Sequence, residues 1–181
     1  LLRMQSRRIS NPDAKDALKQ AMGRVSAIAV VHEILSQNFE EQVAFDEVAD
    51  RILHMVGDVA ASSGSVVARR EGSFGDVPAE TATALSLATT ELCQNAIEHS
   101  LDSSSGNVIV RPHRTDDALV VDIVSDGKPL PAGFSLDDHR SSLGLSIVTT
   151  LVQDLDGTFT LENNSDRVGT CARLVIPLQR M

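Results

Sequence analysis

The sequence predicts an α+β fold, with a helical hairpin over residues 1–37 followed by a mixed β-sheet that helices cover on one face over residues 38–181. Three observations support this fold class. In the first segment, apolar residues recur at helical spacing. In the second segment, short stretches of strand-forming residues alternate with stretches of helical periodicity. A polar turn joins the last two predicted strands. Strands with helices between and after them are typical of a sheet that helices cover on one side.

The N-terminal segment contains the seam of a supercoiled helix. Asn11 is a good N-cap residue and Pro12 suits the first helical position, so this pair separates two helices. The seam of the second helix consists of Ala14, Leu18, Ala21, Val25, Ile28, His32 and Leu35. Two helices cannot bury such a seam alone, so we expect residues 1–37 to form a homodimeric four-helix bundle.

The elements of the second segment follow from local patterns. A short strand at residues 43–45 precedes Asp46, which we expect to cap a helix. The inward side chains of that helix are Val48, Ile52, Val56 and Val59. Pro78 begins a long helix. The other predicted elements are strands at residues 65–71, 108–110, 118–124, 158–162 and 171–176, and a helix at residues 143–154.

Composition excludes several classes of function. The 181-residue chain has a net charge of −9, no Trp, no Tyr and 3% aromatic residues, so we expect no direct binding of nucleic acid. Cys93 and Cys171 lie far apart without clustered histidines, which argues against a disulfide scaffold or a zinc site and for a reducing compartment. No apolar run approaches the roughly 20 residues of a membrane helix, so we expect a cytoplasmic protein without membrane contact.

Three polar residues share one face of the long helix. Glu91, Asn95 and His99 recur at i, i+4 and i+8, opposite an apolar stripe. That stripe is Leu85, Ala88, Leu92 and Ala96. Mg²⁺ prefers oxygen ligands, so Asn95 is the natural ligand; Glu91 can accept a proton, and His99 can reach a phosphate oxygen. These residue types predict nucleotide chemistry, although a solvated helix surface has the same pattern.

The connection between Val124 and Leu143 is long and polar for a simple link. Gly127 allows a ligand to approach the backbone closely. Gly144 lies at a helix N-terminus, where free N–H groups and the helix dipole attract phosphate. We interpret residues 125–142 as a mobile lid over a nucleotide, and a surface loop leading into a capped helix is the alternative.

Four motifs, in this order, resemble those of the GHKL ATPases, the superfamily of gyrase and the histidine kinases. Glu91-Leu92-x-x-Asn95-Ala96 matches the N box. The other matches are Asp126-Gly127 in the G1 box, Ser142-Leu143-Gly144-Leu145 in the G2 box and Gly169-Thr170 near the last strand. Residues 7–14, 24–33 and 71–75 are further similar to PdtaS-like two-component sensor histidine kinases, so the resemblance covers essentially the whole chain.

The resemblance implies a GHKL-type α/β sandwich that binds ATP and Mg²⁺ and acts as a protein histidine kinase. It implies that Asn95 binds Mg²⁺, that Glu91 polarises the attacking histidine and that His99 assists with phosphates. The nucleotide pocket would further include Ser125, Asp126, Gly127, Leu143, Gly144, Leu145 and Thr170. The phosphoryl group would pass from a histidine on the dimerisation helix to an aspartate of a response regulator, of the RNA-binding antiterminator type.

The chain departs from the family pattern at several positions. Ser125 stands where the family has an Asp that accepts a hydrogen bond from the adenine amine, and Pro129 and Ser142 replace glycines. Ser125 can still accept a hydrogen bond, directly or through water, but losing a charged acceptor weakens ATP binding by roughly 1–3 kcal/mol. A degenerate nucleotide-binding regulatory module that acts through a protein partner is therefore the alternative function.

The family's acceptor histidine is expected on the first bundle helix, before Leu1. His32 with Glu33 has the form of an acceptor site in other histidine kinases. Its place in the seam instead predicts a core histidine.

Overall fold

A computed structural model describes residues 12–37, 42–61, 66–101, 105–136, 143–165 and 167–178. The helices are α1 (Pro12–Gln37), α2 (Phe45–Ala61), α3 (Ala79–Asn95) and α4 (Leu143–Asp154), with a π-helical turn at Ala96–Ser100 after α3. The strands are β1 (Gln42–Ala44), β2 (Val66–Arg70), β3 (Asp76–Pro78), β4 (Gly106–Arg114), β5 (Ala118–Ser125), β6 (Thr158–Asn163) and β7 (Thr170–Pro177).

The main sheet is mixed, as predicted. Its strand order is β2-β4-β5-β7-β6, in which β2 runs parallel to β4 and the other neighbours are antiparallel. β1 and β3 form a separate antiparallel pair in which Val43 lies opposite Val77. The sequence did not predict β3, because Asp76 and Pro78 are residue types that strands disfavour. Pro78 does precede the long helix, which begins at Ala79.

The core lies between the main sheet and helices α2, α3 and α4. Alternate residues of the central strands are buried on this side: Val108, Val110, Leu119, Val121, Ile123, Leu174 and Ile176. Val48, Ile52 and Val56 of α2 are also buried, which confirms their predicted orientation. The opposite side of the sheet carries charged residues, including Arg173, whose guanidinium donates to both carboxylate oxygens of Asp122. The α+β architecture with helices on one face is confirmed.

Helix α1 begins at Pro12, as predicted. The first arm of the predicted hairpin lies outside the described residues, and the dimeric bundle stays a prediction. Ala27 is fully buried inside the chain, whereas the seam residues Val25 and Ile28 are 58% and 46% exposed. His32, expected to be a core residue, is also exposed. Among the described residues, no helix combines the length and the apolar character needed to cross a membrane.

The prediction that Asp46 caps α2 is wrong, because the helix already begins at Phe45. The carboxylate instead accepts hydrogen bonds from the backbone N–H of Phe74 at 2.8 Å and the hydroxyl of Ser73 at 2.5 Å. Arg70 lies 3.3 Å from the same carboxylate. Asp46 therefore fastens the segment between β2 and β3 to the start of α2.

Replacing Asp46 with Ala should destabilise the fold by about 1–3 kcal/mol, because a buried N–H and a hydroxyl lose their charged acceptor. Urea unfolding measures this change in free energy. The control is Asp58→Ala, since Asp58 is exposed and its ion pair among the described residues is with His54 on the same helix. Its effect should stay within about 0.5 kcal/mol, and equal losses in the two variants would contradict the fastening role.

Candidate functional site

The polar row of α3 is interrupted by a change of helix type that the sequence did not predict. After Asn95 the α-helix widens into the π-helical turn Ala96–Ser100, closed by a hydrogen bond from the N–H of Leu101 to the carbonyl of Ala96 at 2.9 Å. Glu91 and Asn95 therefore keep their one-turn spacing, while His99 lies in the wider turn and is exposed. Single π turns within helices occur frequently at functional sites.

Glu91 is enclosed, although its row was expected to face solvent or a cleft. The residue is 2% exposed. Its two carboxylate oxygens accept hydrogen bonds from Arg24 of α1, with Nε–Oε1 at 2.6 Å and Nη2–Oε2 at 2.9 Å. The hydrogen bond to Glu91 raises the pKa of Arg24, against the smaller lowering effect of its burial. This two-point contact compensates a charge that would otherwise be costly to bury.

Sequence reasoning missed Arg24, since its partner is 67 positions away in the chain. One signal could have indicated it. A carboxylate on a mostly apolar helix needs a cation once that helix is buried, and Arg24 lies one turn before the buried Ala27.

Asn95 lies beside Glu91 and has an unsatisfied amide. Its Nδ2 atom is buried and has no hydrogen-bond partner among the described residues. The N-terminus of α4 meets both side chains, because a Cβ placed on Gly144 would lie 2.8 Å from Oε2 of Glu91 and 3.6 Å from Nδ2 of Asn95. The fold therefore brings the predicted acid, amide and phosphate-binding glycine into contact.

This arrangement fits a nucleotide-bound Mg²⁺ better than a metal held by protein alone. The described residues contain no group of three or more His, Cys, Asp or Glu side chains that could hold a metal. Mg²⁺ needs few protein ligands when phosphates and waters supply the others. Nδ2 of Asn95 has no hydrogen-bond partner among the described residues, and rotation about the last side-chain bond exchanges it with Oδ1, so the residues present fit the ion.

Three hydroxyl groups form a buried chain at the other end of the site. Oγ of Ser125 lies 2.7 Å from Oγ of Ser100 and 2.9 Å from Oγ1 of Thr170. These residues end the π turn, end β5 and begin β7. Two predicted pocket residues, Ser125 and Thr170, are thus in direct contact, and Ser100 is an addition that the sequence did not indicate.

Gly127 was predicted to allow the close approach of a ligand, but the group that lies close to it is the backbone of Ser100. A Cβ at this position would overlap the carbonyl group of Ser100. The neighbouring N–H of Lys128 donates to that carbonyl oxygen at 2.7 Å. The segment after β5 is therefore pressed against the end of the π turn.

Asp126 is held away from the hydroxyl chain. Its carboxylate accepts hydrogen bonds from the backbone N–H and the side-chain amide of Asn107, at 2.7 and 2.6 Å. Burial alone would raise the pKa of Asp126, but these hydrogen bonds hold it below its usual range. The side chain connects the end of β5 to β4, and its role in binding stays a prediction.

The predicted lid is described only in part. Residues 125–136 belong to the described chain, and the N–H of Leu130 donates to the side-chain oxygen of Asn163 at 2.6 Å. Ser142 lies outside the described residues. Leu143 begins α4 as predicted and is exposed, whereas Leu145 packs into the core. A mobile lid stays a prediction.

The family of the chain is shown by comparison with known families. Residues 80–180 match the model of the histidine kinase-, DNA gyrase B- and HSP90-like ATPases, and residues 1–60 match a model described as histidine kinase. The chain therefore belongs to this ATPase family.

Within it, the chain is 44% identical to the sensor histidine kinase PdtaS of Mycobacterium tuberculosis and 42% identical to that of Mycolicibacterium smegmatis. Each match covers 99% of this chain but only 36% of the relative, so the chain spans about a third of the length of these proteins. The histidine kinase domain of a blue-light activated kinase from Erythrobacter litoralis has the same fold, with a TM-score of 0.74 at 23% identity over 88% of this chain and 75% of that one.

Gly127→Ala should destabilise the chain by about 1–3 kcal/mol, because the added methyl group overlaps backbone atoms that cannot rotate away. Thermal or urea unfolding gives the free energy. Gly57→Ala is the matched control: its Cβ would meet nothing nearer than 4.0 Å, and alanine favours a helix over glycine by about 1 kcal/mol. A neutral Gly127→Ala variant would show that the segment after β5 does not need this close contact.

Proposed function

We propose that the chain is the ATP-dependent core of a two-component sensor histidine kinase. In this proposal residues 1–37 dimerise, and residues 38–181 bind ATP and Mg²⁺. The kinase phosphorylates a histidine on the dimerisation helix and then an aspartate of a response regulator, of the antiterminator type. The convergence of Glu91, Asn95 and Gly144 carries the proposal, since a base, a magnesium ligand and a helix N-terminus are the groups that phosphoryl transfer needs.

Each residue has a defined task in this proposal. Asn95 would hold Mg²⁺, which neutralises charge on the triphosphate when bound. The N-terminus of α4 at Gly144 directs free N–H groups toward phosphate oxygens. Glu91 accepts the proton of the attacking imidazole, and the exposed His99 reaches a phosphate oxygen. The free thiols of Cys93 and Cys171 are compatible with a cytoplasmic location.

The hydroxyl chain supports a role for Ser125 and Thr170 in contacting the base. A hydroxyl group can accept a hydrogen bond from the adenine amine and donate one to its neighbour. A neutral acceptor binds more weakly than a carboxylate, so we expect modest ATP affinity. The presence of Ser125 in place of the family's Asp also favours the alternative, a degenerate nucleotide-binding regulatory module that acts through a protein partner.

Asn95→Ala should weaken Mg²⁺-dependent ATP binding at least about tenfold, because the metal loses its protein ligand. Isothermal calorimetry with and without Mg²⁺ measures the affinity. Gln153→Ala, which removes an exposed amide from α4, is the control and should bind like wild type. Binding that is absent in all three proteins would instead favour the regulatory module.

Ser125→Ala should weaken ATP binding about three- to tenfold, corresponding to roughly 1 kcal/mol for one hydroxyl contact. Ser86→Ala is the matched control, because Ser86 is equally buried but donates only to the carbonyl of Ala82 within α3. Both variants should lose similar stability in urea unfolding. An unchanged ATP affinity in Ser125→Ala would remove this serine from the base-binding site.

A further inference from the structure

We propose that the Arg24–Glu91 ion pair is an autoinhibitory latch. While α1 is packed on α3, Arg24 binds the carboxylate of Glu91, so this carboxylate cannot act as the base. Release of α1 frees the carboxylate. This inference rests on the proposed kinase function, in which Glu91 is the base. Arg24 is then a positioning residue that acts through Glu91.

The ion pair leaves Glu91 poorly placed to accept a proton. Both carboxylate oxygens already accept from the guanidinium, and the side chains of Arg24 and Glu91 are 18% and 3% exposed. While α1 is docked, the guanidinium therefore covers both oxygens in a nearly closed site, and a nucleophile finds no free carboxylate oxygen to approach. Separating the partners of such a buried pair is unfavourable, so the docked position of α1 keeps the carboxylate away from the nucleophile.

Small residues bring the arginine to its position. Gly23 lies against Gln94, where a Cβ would overlap the side-chain amide, and Ala27 is fully buried. Gly23 and Ala27 lie on either side of Arg24 in α1, so α1 can approach α3 closely at this point. The position of α1 therefore decides whether Glu91 has a partner.

The interface between α1 and α3 is also incompletely satisfied. Oε1 of Gln94 is buried without a hydrogen-bond partner among the described residues. A buried acceptor that has lost water costs free energy, so this contact is weaker than a fully paired interface would be. Such an interface suits a contact that must open.

Glu91 lies between the latch and the reaction centre. Its Oε2 atom accepts from Arg24 on one side and approaches Gly144 at the start of α4 on the other. After release, Glu91 takes a proton from the nucleophile, either the acceptor imidazole or a water molecule. The nucleophile then bonds to the γ-phosphorus, the bond from that phosphorus to the β–γ bridging oxygen breaks, and ADP leaves with the electron pair. With water, the products are ADP and phosphate, and Glu91 returns the proton to solvent.

The test compares Arg24→Met, Arg24→Lys and the double variant Arg24→Met/Glu91→Gln with wild type in the 181-residue chain. Hydrogen exchange without nucleotide should be at least about threefold faster in the middle of α1 in both methionine variants. Mg²⁺-dependent ATP hydrolysis should rise at least about threefold in Arg24→Met and vanish in the double variant. Arg24→Lys should lie between wild type and Arg24→Met, because a lysine retains the charge without the two-point geometry.

Arg51→Met is the matched control, since Arg51 also pairs with α1, through Glu33, but on the exposed surface and without contact to Glu91. Its hydrogen exchange in α1 and its rate of ATP hydrolysis should equal those of wild type. The latch is overturned if ATP hydrolysis falls in Arg24→Met, or if hydrogen exchange in α1 stays unchanged in both methionine variants. Absence of ATP binding in every variant contradicts the proposed function instead. The hydrogen-exchange rates are measured without nucleotide, so they still decide whether Arg24 fastens α1.

Discussion

Helix α3 is packed against α1, α2 and α4, so its polar groups must be paired inside the protein. Two hydroxyls meet this constraint locally: Ser86 donates to the carbonyl of Ala82 and Thr90 to that of Ser86, each at 2.7 Å. The thiol of Cys93 stays neutral, because burial raises its pKa to about 12. A carboxylate can pair locally only with a basic residue about one turn away, and α3 contains no Lys, Arg or His, so Glu91 requires Arg24 from another element.

The constraint is not met where α3 ends. Oε1 of Gln94 and Nδ2 of Asn95 are buried without hydrogen-bond partners in the described chain. These two amides lie where α1, α3 and the start of α4 come together. The helix widens into the π turn directly after Asn95, which redirects the chain so that Ser100 reaches the end of β5. Oγ1 of Thr89, within α3, is also buried without a partner among the described residues. The two amides and the altered helix geometry coincide at the proposed site of phosphoryl transfer.

Local pattern was sufficient for the order of the helices and of every strand except β3, because hydrophobic period and turn residues act over a few positions. It failed wherever a distant contact decides the structure. Asp46 had the composition of a cap, but its partners in the segment after β2 are 27 and 28 positions away. The pairing of Glu91 with Arg24 and the π turn have no periodic signature. Motif spacing predicted that Glu91, Asn95 and Gly144 belong to one site, yet it could not show that Glu91 is already paired with a cation.

The hydroxyl chain explains how Ser125 can occupy a position where relatives are expected to have a carboxylate. Ser125 is 1% exposed, and its described side-chain neighbours Ser100 and Thr170 are neutral. A carboxylate there would need charge compensation that these two hydroxyls cannot supply, since a buried charge without a cation shifts its own titration or destabilises the fold. Serine keeps the site neutral and fully hydrogen-bonded. In the proposed function, nucleotide affinity then comes mainly from the phosphate end, and the residue there that α1 contacts is Glu91, through Arg24.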